Sequence, residues 1–213
     1  MKTDELITLL ARDAAPVDRG VLPRRLSALA LAGAAAALVI MVPWIGFRPD
    51  LPDAFADPTF WMKAIYTVGL GAAGFLLAER LSRPGANGRL GWTIAAACAA
   101  AIAALAAAQL MTMPSEQMPA AIMGGSWDSC PLLIFVLALP GLAAILWTMR
   151  RFAPTRTALA GAAAGLLAGG VSATVYGLHC DENTAPFVAV WYSVGVALTV
   201  VAGAIAGSRV LRW

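Results

Sequence analysis

The chain has 213 residues, 60% hydrophobic and 13% charged, with a formal net charge of +3. A soluble domain carries about 25% charged residues, and apolar runs long enough to cross a hydrocarbon core of roughly 30 Å recur along the chain, so the class is integral membrane protein rather than soluble globule. A small positive charge placed at the ends of apolar runs reports topology, not a nucleic-acid footprint, and no direct nucleic-acid partner is expected.

Residues 1–25 are polar enough to stay in water and form the first segment. Thr3 caps a short helix, with Asp4 and Glu5 in its positive first turn. Leu6, Ile7 and Leu10 fall on one face at helical spacing, and Pro16 ends the helix. Such a helix is marginal alone in water and needs a partner to bury its stripe. Its acidic Asp4, Glu5 and Asp13 set it apart from the Lys/Arg-rich helices that lie on lipid surfaces, so a protein partner is favoured over the bilayer surface.

Arg24 and Arg25 precede the first apolar run, 26–47. Ala54-Phe55-Ala56 resembles a signal-peptide cleavage site, but the run is too long for a signal core and the site lies well beyond its end. A proline-rich acidic loop leads to the second run, 60–78. A loop with Arg80, Arg83, Arg89 and the turn signal Pro84-Gly85 leads to the third, 90–111, which is rich in alanine. The longest internal loop, without Lys or Arg, precedes the fourth run, 131–149. A short basic turn from Arg150 to Arg156 joins it to the fifth, 157–178. An acidic loop precedes the sixth, 187–207, and residues 208–213 form a terminal tail.

The expected fold is all-α, a polytopic membrane protein of six transmembrane helices with both termini cytoplasmic. On that assignment 13 of the 15 basic residues fall inside and only Arg48 and Lys63 fall outside, the asymmetry that sets membrane orientation. Lys63 and Glu79 lie near helix ends and are expected to reach water. Six of the seven tryptophans sit near a predicted helix end, and interfacial anchoring accounts for them. Gly161, Gly165 and Gly169, and Gly203 and Gly207, recur at four-residue spacing and allow close helix approach. Packing within one bundle is favoured, with a homodimer interface as the alternative. No ionisable residue occupies the middle third of a span, which argues against a transporter. One histidine, no metalloprotease motif, no nucleophile elbow and no phosphate loop argue against an enzyme, and no cofactor is implied.

Two stretches stand out, Trp127-Asp128-Ser129-Cys130-Pro131 and His179-Cys180-Asp181-Glu182, each at the non-cytoplasmic end of a span. The short Arg150–Arg156 turn makes the fourth and fifth helices an antiparallel hairpin, which brings Cys130 and Cys180 to the same end. Two readings stay open: a structural disulfide in an oxidising compartment, which the residues alone favour over a sensor role, and a soft-metal site built from Cys130, Cys180 and His179, with Asp181, Glu182 and Asp128 nearby. Cys98, among alanines in the third run, behaves as a small apolar group and is assigned no function.

With these residues in view, the chain resembles the NrsF family, bacterial six-span membrane anti-sigma factors with a short cytoplasmic N-terminus. The resemblance runs nearly end to end. It rests on Met1-Lys2-Thr3-Asp4-Glu5-Leu6-Ile7 with Leu10 and Asp13, then Arg48-Pro49-Asp50-Leu51, Lys63 and Cys130-Pro131. It continues through Ala153-Pro154-Thr155, Leu178-His179-Cys180 with Tyr176, Trp191-Tyr192 and Leu211-Arg212-Trp213. The resemblance implies a multi-pass protein of the bacterial inner membrane whose N-terminal segment, through Asp4, Glu5, Leu6, Ile7 and Leu10, holds an extracytoplasmic-function sigma factor. It implies that Cys130 and Cys180 sense a stress such as heavy-metal or oxidising ions and trigger release, a form of transcription regulation. The alternatives are a small polytopic transporter subunit and a membrane protein with a purely structural disulfide.

Overall fold

The computed structural model describes Thr3, Glu5, Thr8, residues 20–83 and residues 85–212. Thr3, Glu5 and Thr8 are helical and exposed, while Asp4, Leu6, Ile7 and Leu10 lie outside the described residues. Six helices are long and apolar enough to cross a membrane: α1 Val21–Trp44, α2 Pro58–Leu81, α3 Arg89–Thr112, α4 Cys130–Met149, α5 Thr157–Tyr176 and α6 Ala185–Val210. Among the described residues there is no strand. At 1.5 Å per residue a 24-residue helix such as α1 is about 36 Å long, enough to cross with some tilt. α1 begins at Val21, so Arg24 and Arg25 sit inside its first turns rather than ahead of it.

The local signals account for where the helices stop and start. The Asp57 carboxylate accepts from the Thr59 amide at 2.9 Å and caps α2, with Pro58 as the first helical residue. Cys130 opens α4 with Pro131 behind it. α6 opens with a short α-helical turn, Ala185–Phe187, followed by one π-turn, Val188–Tyr192, before regular α-helix resumes at Ser193.

α5 is the axis of the bundle: 67% of its apolar window is buried, against 11% for α3. It packs against α1, α2, α4 and α6. Small residues make this possible, because lipid supplies no hydrophobic drive and helices associate by close backbone contact. A methyl group at Gly165 would collide with the Thr199 carbonyl of α6, and one at Gly170 with the Gly71 backbone of α2. Gly161, Gly165, Gly169, Gly203 and Gly207 all face partners inside the chain along the α5–α6 seam.

The buried side chains separate into two clusters. One, at the end carrying Cys130 and Cys180, contains Met41, Tyr66, Ile134, Tyr176, Phe187 and Tyr192. The other, at the arginine-bearing end, is aliphatic: Leu22, Leu26, Leu77, Leu146, Met149 and Leu211 are among its members.

Candidate functional site

The site is built where α4 begins and α5 ends. Cys130 is the first residue of α4, and Cys180 lies four residues past Tyr176, the last residue of α5. Both are buried, at 0% and 3% exposure, in one cluster with Tyr176 and Tyr192. All three cysteines, Cys98 included, are thiols in this structure rather than half-cystines. The hairpin does bring Cys130 and Cys180 to the same end and into the same packed group. Tyr176 stands between neighbours on either side, with the His179 ring 5.6 Å and the Tyr192 ring 5.8 Å from its own.

The loop that carries Cys180 is held from below by a lysine. The expectation that Lys63 reaches water is corrected here: its side chain is buried, with the residue 2% exposed. Lys63 lies on the inner face of α2 and extends under the His179–Glu182 loop. Its ammonium donates to the Cys180 carbonyl at 2.9 Å and to the Glu182 carbonyl at 2.7 Å. These oxygens replace the water a buried cation would otherwise lack. Among the described residues no carboxylate lies within ion-pair distance of it.

Arg48 grips the same carbonyl from the side. Its Nη1 donates to Cys180 O at 3.3 Å, and its backbone amide donates to Leu178 O at 3.1 Å. Its Nε and Nη2 both donate to the Asp50 carboxylate, each at 2.7 Å, a bidentate pair. That pairing raises the Arg48 pKa above its ordinary value against the opposing effect of burial, and lowers the Asp50 carboxyl below the usual carboxylate range. The two basic residues that sequence reasoning placed at this end thus converge on one backbone oxygen, that of Cys180.

A second set of contacts closes the roof. The Glu182 carboxylate accepts from the Gly125 amide at 2.6 Å and from Ser126 Oγ at 3.4 Å. Thr184 Oγ1 donates to Ala121 O at 2.7 Å, and Trp191 Nε1 donates to Ile122 O at 2.9 Å. The Gln109 side-chain oxygen, from α3, accepts from the Ala185 amide at 2.8 Å and serves the start of α6. The Trp127 and Trp191 rings lie 5.4 Å apart, so Trp191 does more than anchor an interface. Gly124 makes the tight turn: its φ is +58°, and a Cβ there would strike Phe187 and Glu182.

The candidate metal set does not assemble. His179 directs Nδ1 at the Gly46 carbonyl, 3.0 Å away; since a carbonyl only accepts, Nδ1 carries the proton of that contact. Glu182 is engaged with the Gly124–Ser126 turn. Among the described residues no group of three His, Cys, Asp or Glu is arranged to hold a metal ion. What the arrangement offers is two sheltered thiols, the Cys180 backbone carbonyl clamped by two cations and the neighbouring turn pinned through one carboxylate. Sequence reasoning missed Lys63 and Arg48 as parts of this site, and placed Glu182 there only as a possible metal ligand rather than as the group that pins the turn. The signal was present, because Arg48 and Lys63 were the two exceptions to the charge asymmetry.

Comparison with known proteins follows the same lines. The profile of the NrsF family, described as negative regulator of sigma F, matches residues 10–213. Over 214 residues the chain is 50% identical to the anti-sigma-F factor NrsF of Caulobacter vibrioides (strain NA1000 / CB15N), with 100% of each chain covered. Over 215 residues it is 40% identical to the probable anti-sigma-F factor NrsF of Azospira oryzae (strain ATCC BAA-33 / DSM 13638 / PS), again with 100% of each covered. No solved structure matches it.

Proposed function

The chain belongs to the NrsF family of negative regulators of sigma F, and from that premise we propose that it is a membrane-embedded anti-sigma factor that sequesters an extracytoplasmic-function sigma factor and releases it when Cys130 and Cys180 change state. The observation that carries the reading is the full-length identity of 50% to a protein named as an anti-sigma-F factor.

The N-terminal segment holds the sigma factor in the cytoplasm. Leu6, Ile7 and Leu10 bury one apolar face against it, and Asp4 and Glu5 meet basic residues. Both termini are cytoplasmic, the membrane is the bacterial inner membrane, and the cysteine end is periplasmic. An oxidising ion takes two electrons from the two thiols as they close a disulfide and release two protons; a soft heavy-metal ion instead displaces the protons and binds both sulfurs. Either event requires the Glu182-pinned turn to open, because both thiols are buried.

Cys180 cannot shift alone. Its carbonyl is tied to Lys63 on α2 and to Arg48, and α2 packs backbone to backbone against α5, which packs in turn against α6. Moving the tail from mostly holding to mostly releasing requires about 5.5 kcal/mol of differential interaction. A disulfide supplies roughly 2–4 kcal/mol and thiolate–metal bonds more.

The test is co-purification and transcription. Deletion of residues 1–13 is expected to abolish recovery of the sigma factor while membrane insertion persists. Cys130→Ser and Cys180→Ser are each expected to block induction of sigma-dependent transcription by heavy metal or oxidant, and Cys98→Ser to respond like the parent. Recovery of the sigma factor by the deleted protein overturns the tail assignment. Full induction in either single variant overturns the paired-thiol switch.

A further inference from the structure

At the end of the bundle opposite the cysteines, the last turn of α4, the turn that follows it and the C-terminal end of α6 enclose a cavity of about 260 Å³. Trp147, Arg150, Arg151, Val210, Leu211 and Arg212 line it. The chain geometry that makes it is fixed from inside. Met149 and Leu211 are buried, at 0% and 1% exposure, in the same aliphatic cluster. Burying those two residues holds the neighbouring Arg150, Arg151 and Arg212 around one concavity.

Three guanidinium groups at one opening repel one another unless an anion sits among them. Arg150, Arg151 and Arg212 are exposed, and among the described residues none has a carboxylate within ion-pair distance. The fourth wall is aromatic: the Arg150 guanidinium lies 5.4 Å from the Trp147 ring centre, a cation–π contact that fixes its direction.

Trp147 also says where the anion comes from. The exposed face of α4 runs Leu132, Val136, Leu139, Ala143 and Trp147, a helical stripe that in a membrane-crossing helix faces lipid. The cavity therefore opens at the foot of a lipid-facing surface, at headgroup level, where Trp and Arg are the usual anchors. Basic pockets between transmembrane helices at this depth suit anionic headgroups. A guanidinium offers paired donors that match phosphate oxygens.

We propose that this cavity binds the phosphate headgroup of an anionic phospholipid, with Arg150, Arg151 and Arg212 as its donors and Trp147 against the upper part of its chains.

The experiment uses the full-length protein in a neutral detergent, titrated with phosphatidylglycerol, with phosphatidylcholine and with inorganic phosphate, and follows binding by native mass spectrometry and by the shift in thermal unfolding. The variants are the triple Arg150→Gln/Arg151→Gln/Arg212→Gln and, as a control at the same end but outside the cavity, Arg156→Gln. The parent and Arg156→Gln are expected to bind phosphatidylglycerol in preference to phosphatidylcholine. The triple variant is expected to lose about 100-fold in that affinity, about 2.8 kcal/mol at 1.4 kcal/mol per tenfold, because each arginine near an anionic lipid surface adds to the attraction. Its unfolding midpoint in detergent alone is expected to match the parent's, since among the described residues the three side chains make no ion pair. Equal binding of phosphatidylcholine overturns the proposal. So does inorganic phosphate competing as well as the lipid, which makes the cavity a free-anion site. Unchanged phosphatidylglycerol affinity in the triple variant also overturns it, and if that variant instead loses a bound acidic protein, the cavity is a protein-docking site.

Discussion

At the cysteine end, Lys63, Arg48, Glu182 and Trp191 direct their polar atoms at loop backbone inside the chain. At the arginine end, Arg150, Arg151 and Arg212 remain exposed around an open cavity above an aliphatic cluster. Both ends carry cations at helix termini, yet one set is buried and the other is not. The difference lies in what each end must exclude. A thiol pair that waits in a closed site needs a roof, and a roof made of loop exposes backbone groups that must all be paired. The arginine end shelters no thiol pair, and its exposed cations stay available to whatever approaches from outside the bundle.

The comparison is sharpened first at Lys63. Lys63→Met removes the lysine donor from the Glu182 carbonyl, at about 1–3 kcal/mol, and leaves the Cys180 carbonyl only its longer Arg48 contact, while removal of a buried cation offsets part of the loss. The expected net destabilisation is about 2 kcal/mol, read as a lowered midpoint of denaturant unfolding in detergent. Arg156→Met, a change of the same kind at the other end, is expected to move the midpoint by less than about 0.5 kcal/mol. Equal effects at the two ends would erase the distinction drawn between them.

Glu182→Gln tests the roof. Its carboxylate bond to the Gly125 amide is charge-assisted, and weakening it by about 1.4 kcal/mol raises the open fraction of the turn about tenfold. In a Cys98→Ser background, labelling of Cys130 and Cys180 by a membrane-impermeant maleimide should therefore quicken by about that factor. An unchanged rate means that the thiols are reached by another route.

The smallest effect belongs to the arginine end. Glu79 and Arg83 form an (i, i+4) pair at 3.0 Å with partly exposed side chains, and such pairs contribute about 0.3–0.5 kcal/mol. Glu79→Gln should lower stability by no more than that, and the loss should vanish at high salt. A loss above about 1 kcal/mol would show that this end, too, depends on a polar network.

Charge at this protein's loops also has a pH signature. Asp50 is held below the usual carboxylate range by Arg48, and Asp57 by its bond to Thr59. For a carboxyl lowered by folding, the stabilisation is complete above the unfolded pKa and is lost as pH falls through the folded one. The Arg48 clamp therefore holds through neutral pH and weakens only in strong acid.

Much of this protein was legible in its sequence for a simple reason: the bilayer imposes one-dimensional rules. A helix must satisfy its own backbone in lipid, so length and apolarity alone marked six spans, and the short Arg150–Arg156 turn alone put Cys130 and Cys180 at one end. The glycines of α5 and α6 advertised close packing through spacing. What spacing does not encode is rotation. Lys63 sits one turn from the start of α2, where a lysine facing outward reaches water and a lysine facing inward does not, and only the packing of α2 on α5 turned it under the Cys180 loop. Glu182 and Gly125 are 57 residues apart, and their contact exists because two loops from different helix pairs meet. Local sequence determined where the chain crosses and where it turns. The tertiary structure decided which polar side chains are buried, because a buried cation or carboxylate is tolerated only where other segments bring it the partners that water no longer supplies.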